Sequence, residues 1–215
     1  MEPGLVIEKT QEYVKASLSG EGTGHDWWHI YRVLNLARTI QKEEGGNLFI
    51  IELGALLHDI ADWKFHQEKE GSRKTKEWLE QLQLDRGTIN AVCYIVDNIS
   101  FKGAGVKCEM KSLEGKIVQD ADRLDAMGAM GIARTFAYGG HKGTEFYNPN
   151  IKPVLHTSVK AYTDGKSTTI NHFYEKLLLL KERMNTKAAK QIAEKRHEFM
   201  EQYLDEFFKE WEGKA

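Results

Sequence analysis

The sequence predicts an all-α protein, a single compact bundle of ~eight to ten helices with a C-terminal helical extension. Three observations carry that reading. Prolines number only three in 215 residues (Pro3, Pro149 and Pro153), so little interrupts intrahelical hydrogen bonding. Apolar residues return every third or fourth position along most of the chain, which gives a helix one greasy stripe. No stretch alternates apolar and polar residues between turn dipeptides, so an extended sheet is not expected.

Taken in order, a first helix ends at the run Gly20-Glu21-Gly22-Thr23-Gly24, and a second begins near His25 with a stripe of Val33, Leu36 and Ile40. An apolar helix over Leu53–Leu57 follows. Helical stripes then come from Ile89, Val92, Cys93, Val96 and Ile99, and from Leu113, Ile117, Ala121 and Leu124. Glycines and prolines from Gly139 to Gly165 predict a long loop, either a binding or closing segment or a plain connector. Beyond it, Ile170, Phe173, Leu177, Leu180 and Met184 step as a helix, as do Met200, Leu204, Phe207 and Trp211. The expected organisation is one domain over 1–215, with a core over 20–140 and C-terminal helices over 167–213.

Composition narrows the function. Thirty basic against 32 acidic residues give a net charge of −2, which supplies no global field for collecting DNA or RNA. Two cysteines, Cys93 and Cys108, are too few for a disulfide framework or a cysteine zinc site, and Cys93 reads as a small core residue. No run approaches the ~18 apolar residues that cross a bilayer, and the first residues lack a signal-peptide pattern. The expected location is cytoplasmic, with no membrane or nucleic-acid partner.

Three apolar helices are interrupted by titratable groups. In Gly24-His25-Asp26-Trp27-Trp28-His29-Ile30-Tyr31-Arg32-Val33, helical spacing puts His25, His29 and Arg32 on one face beside the apolar stripe. In Leu56-Leu57-His58-Asp59-Ile60-Ala61-Asp62, an apolar helix ends in three such groups, and Lys64 and His66 follow at once. In Asp120-Ala121-Asp122-Arg123-Leu124-Asp125, the carboxylates of Asp122 and Asp125 stand one turn apart, where they repel unless a cation is near. Imidazoles mixed with carboxylates suit manganese, iron, cobalt, nickel or zinc better than calcium. Trp27, Trp28 and Trp63 flank these segments and are expected in the core, with stacking on a base the lesser reading.

The order His29, His58-Asp59, Asp122 resembles the HD-domain metal-dependent phosphohydrolases, an all-α superfamily named for its His-Asp pair. The resemblance spans about residues 20 to 140. GHDWWHIYRV, LLHDIADWKF and VQDADRLDAMGAMGIARTFAYGG are similar to a small stand-alone bacterial subgroup linked to manganese-dependent pyrophosphohydrolysis of (deoxy)nucleoside triphosphates. The resemblance implies that His29, His58, Asp59 and Asp122 hold one divalent ion, manganese before magnesium, cobalt, nickel, iron or zinc. Asp122 is preferred to Asp120 or Asp125 because it heads the Asp-Arg-Leu segment.

In that setting Asp62 and Lys64 are the expected catalytic residues, while His25, Arg32 and Asp125 are the expected substrate contacts. Asp62 stands where related guanosine-tetraphosphate hydrolases carry a glutamate. Here Ala61 precedes it and the side chain is shorter. The partner expected is a phosphorylated small molecule, a nucleotide above all. A nucleoside monophosphate phosphomonoesterase and a non-catalytic metal- or nucleotide-binding regulator are the alternative readings.

Overall fold

The computed structural model describes residues 1–18, 26–60, 70–99, 109–155 and 167–214. His25, Asp62, Trp63, Lys64, His66 and Cys108 lie outside them. All regular structure among the described residues is helical: α1 Pro3–Ser17, α2 Trp27–Glu44, α3 Leu48–Leu57, α4 Glu70–Gln81, α5 Arg86–Asn98, α6 Leu113–Asp125, α7 Gly128–His141, α8 Thr169–Glu175 and α9 Lys187–Trp211. Two 3₁₀ turns, Leu177–Leu179 and Lys181–Arg183, follow α8. None of these helices is long and apolar enough to cross a membrane.

The chain forms two compact units, one of Met1–Phe101 with Lys107–Asp122 and one of Lys102–Val106 with Arg123–Ala215. The division falls inside α6. In the first unit α3 is the central helix. Its sequence LFIIELGALL offers almost no polar face, and the residues from Leu53 to Leu57 are all buried. Such a helix is stable only when surrounded, and α1, α2 and α5 pack against it. Asn47 starts it by accepting from the backbone N–H groups of Phe49 and Ile50.

Helices α2, α5 and α9 begin with the same chemistry. Asp26 accepts from His29 N at 3.0 Å, Asp85 from Thr88 N, and Thr186 from Ala189 N. The hydroxyl and amide of Thr88 hold the Asp85 carboxyl below the usual carboxylate range. α1 is tied to α4 where Tyr13 and Trp78 stack at 4.1 Å and the indole N–H donates to Thr10 Oγ1. Cys93 is half-buried on α5, and burial, aided by Asp97, pushes its thiol up and makes it a poor nucleophile.

In the second unit α7 and α9 pack on one another and α7 meets α8. Phe173 stacks on Tyr203 with ring centroids 5.9 Å apart, and Phe207, Tyr147 and Trp211 extend the aromatic cluster. Two glycines make this packing possible. Gly128 starts α7 at φ +68° with Arg196 against it, and a Cβ on Gly139 would meet Thr169 Oγ1 at 2.4 Å.

Several expectations need correction. Gly139 and Gly140 are helical, so the loop begins after His141. The stripe from Ile170 to Met184 is buried as expected, yet it is one short helix followed by 3₁₀ turns. A 3₁₀ segment repeats every three residues, so the Leu177–Leu180 spacing still points inward. Leu113 and Trp211, assigned to stripes, are exposed because they stand at helix ends.

Glu175 closes α8 and is buried, where its carboxylate accepts from Val154 N at 3.0 Å and from Ser167 Oγ at 2.8 Å. It therefore ties together two strands of chain that come from either side of residues 156–166. Replacing Glu175 by alanine should cost about 0.5–1.5 kcal/mol, since the part-buried hydrogen bonds from the Val154 N–H and the Ser167 hydroxyl are lost. Urea unfolding of Glu175→Ala is expected to show a lower midpoint at unchanged slope, with Glu175→Gln between it and the parent.

Candidate metal centre

α3 and α6 run side by side in the same direction. At their beginnings Glu114 Oε1 accepts from Asn47 N at 3.0 Å, and midway Gly54 lies against Val118. Their far ends carry His58 and Asp122, with His58 Nε2 3.9 Å from Asp122 Oδ1. Arg38 on α2 grips Glu52 on α3 at 2.7 Å, and His29 at the start of α2 reaches His58 at the end of α3, so these two run antiparallel.

Four side chains converge as a result. His29 Nε2 and His58 Nε2 are 3.2 Å apart. His29 Nε2 is 3.6 Å from Asp59 Oδ2 and 3.5 Å from Asp122 Oδ1, and His58 Nε2 is 4.0 Å from Asp59 Oδ2. His29 is 0% exposed and His58 5%, whereas the two carboxylates keep some contact with solvent. His29, His58 and Asp59 each offer a ligand atom within 4.8 Å of one another, a group that could hold a metal ion.

The donor chemistry fits a divalent cation. A carbonyl can only accept, so the 2.8 Å contact from His58 Nδ1 to Ala55 O puts the proton on Nδ1 and leaves the Nε2 lone pair facing the cluster. Ligands ~2.1 Å from an ion at right angles stand on the order of 3 Å apart, near the separations seen here. The C-terminal ends of α3 and α6 add the negative end of a helix dipole each, which favours positive charge.

The other expected residues divide. Arg32 is half-buried on α2, one turn beyond the His29 position. Asp125, expected to accept from a substrate hydroxyl, is 1% exposed, and its Oδ2 receives Arg134 Nη1 at 2.6 Å. That charge is engaged inside the second unit. Trp28 is 60% exposed and Trp27 half-buried, so the expectation of core tryptophans fails at Trp28.

Sequence reading missed the residues that hold the last turn of α6. Arg123 and Arg196 donate to the carbonyls of Arg183 and Leu124, and burial lowers the Arg196 guanidinium while Asp125 raises it. Gln119 is buried too, its amide donating to Asn98 O and Ile99 O at 3.3 Å to finish α5. The available signal was Gln119 and Arg123 lying beside the core positions Ala121 and Leu124, where polar groups need partners.

A helical scaffold that gathers buried imidazoles and carboxylates at the ends of its helices is the framework of a metal-dependent hydrolase. The comparisons agree. Residues 27–127 match the HD domain. Bacillus subtilis YpgQ is 38% identical over 96% of this chain and 94% of its own length. An HD-superfamily hydrolase from Bacillus thuringiensis is 48% identical with a TM-score of 0.78, covering 98% of this chain and 99% of that one. A Lactobacillus plantarum structure reaches a TM-score of 0.88 at 37% identity, covering 99% of this chain and 100% of that one. YpgQ has also been crystallised in complex with ADP. The chain belongs to the HD-domain family of metal-dependent phosphohydrolases.

Proposed function

We propose that this protein hydrolyses a nucleotide, cleaving a (deoxy)nucleoside triphosphate to the monophosphate and pyrophosphate. The convergence of His29, His58, Asp59 and Asp122 carries the reading, and the ADP complex of YpgQ supports a nucleotide as the ligand. His29, His58, Asp59 and Asp122 would hold one divalent ion, manganese first. Such an ion, when bound, lowers the pKa of water beside it and polarises a phosphoryl oxygen.

The chain's own residues do the rest. Arg32 binds phosphate oxygens through its planar fork of N–H donors. Lys64 adds positive charge for the phosphates, His25 donates a hydrogen bond to them, and Asp62 takes the proton of the attacking water. Water then bonds to the α-phosphorus while the bond from that phosphorus to the bridging oxygen breaks, and pyrophosphate leaves with the electron pair.

A screen of nucleoside tri- and monophosphates with manganese, magnesium, cobalt and nickel tests this. The expected products are pyrophosphate and a monophosphate. Orthophosphate released from monophosphates would favour the phosphomonoesterase reading, and ligand binding without turnover would favour a regulator. Asp62→Asn should keep the metal yet lose about 10²- to 10⁴-fold in kcat; an unchanged rate removes Asp62 from proton transfer.

A further inference from the structure

We infer that Trp28 is the platform on which the base of the nucleotide stacks, with Tyr31 as its brace; the inference rests on the nucleotide reading above. An indole is among the largest apolar groups a chain can bury, yet Trp28 is 60% exposed while the next residue, His29, is 0% exposed. Tyr31 is 47% exposed, and the two rings meet edge to face at 5.9 Å and 80°. That contact restrains the indole on a helix, the kind of rigid support a binding group needs.

Position on α2 supplies the second argument. At about 100° per residue, Arg32 falls between Trp28 and His29 around the helix, about 40° from the first and about 60° from the second. Moving around α2 therefore meets an aromatic surface, then a guanidinium, then the imidazole of the candidate metal centre. A nucleotide has the same order of parts: a flat heteroaromatic base, a chain of anionic phosphates, and the phosphoryl group that reacts. The steps along the axis are short too, since residues 28 to 32 span only about 6 Å.

Stacking on a π face needs no particular pattern of donors and acceptors. The platform accordingly favours bases over bare phosphate while discriminating little between one base and another. Discrimination among bases, where it exists, belongs to groups that reach base edges.

The test compares ADP with inorganic pyrophosphate by calorimetry on the intact protein with manganese present, for the parent, Trp28→Leu and Trp28→Phe. In Trp28→Leu the ratio of ADP to pyrophosphate affinity is expected to fall about tenfold, whereas Trp28→Phe, which keeps a π face, retains most of it. Light scattering in solution should give one mass for all three proteins. An unchanged ratio in Trp28→Leu, whether both affinities hold or fall by the same factor, overturns the inference. A change of mass overturns it as well, because the aromatic pair would then be a contact between copies of this chain. The affinity ratio does not depend on turnover, so failure of the hydrolase reading, seen as absent product, is distinct from failure of the platform.

Discussion

Replacing His58 by alanine is expected to release the divalent ion and to reduce turnover below about one part in a thousand. The imidazole is 5% exposed and its Nε2 stands within 4.0 Å of donor atoms on His29, Asp59 and Asp122. Loss of groups that merely orient a ligand costs about 10- to 100-fold in metal affinity, and loss of a ligand should exceed that. The substitution also opens a small cavity and strands the Ala55 carbonyl, so stability has to be read separately. Melting in the absence of metal gives the packing cost, and metal analysis with a manganese titration gives the coordination cost. Full metal stoichiometry in a folded His58→Ala protein would show that the ligand set is wrong.

Arg134→Met is expected to be the most destabilising change outside the centre. Asp125 Oδ2 accepts from Arg134 Nη1 at 2.6 Å, and the carboxylate is 1% exposed. Breaking a buried pair from one side commonly costs 3–5 kcal/mol, because the remaining charge cannot return to water. Arg196 stays close enough to act on Asp125 electrostatically. The expected loss is therefore at the low end, about 3 kcal/mol. Removing both charges in Asp125→Asn/Arg134→Met should restore much of it. Chemical denaturation of the two single variants and the double variant measures the coupling. Strictly additive losses would mean that the pair is not an energetic unit.

Much of this was legible beforehand because two codes run in one sequence. Helical periodicity announces the bundle, since a stripe such as Ile89, Val92 and Val96 can only be buried one way. Histidine and aspartate at the edge of a stripe announce the centre, because they are costly there without partners. What escaped the reading depends on distance in space rather than along the chain. Nothing local pairs Arg134 with Asp125 or Arg196 with the Leu124 carbonyl, 72 residues away. The break of the helix after Glu175 was equally hidden. No proline or glycine marks it, and the carboxylate that closes it works on Val154 and Ser167. Trp28 was misjudged for a related reason: composition says that tryptophan is usually core and cannot say which face of α2 meets solvent.

The shared direction of α3 and α6 makes the centre a matter of phase. Both helices are pinned at their beginnings by the Asn47–Glu114 contact and deliver their ligands from their far ends. One extra residue between Asn47 and His58 would turn the imidazole through about 100° and carry it about 1.5 Å along the axis, out of register with Asp122. The length of α3 is thus as much a coordinate of the site as the identity of His58. An insertion or deletion between Asn47 and His58 would therefore dismantle the centre even with every ligand residue retained.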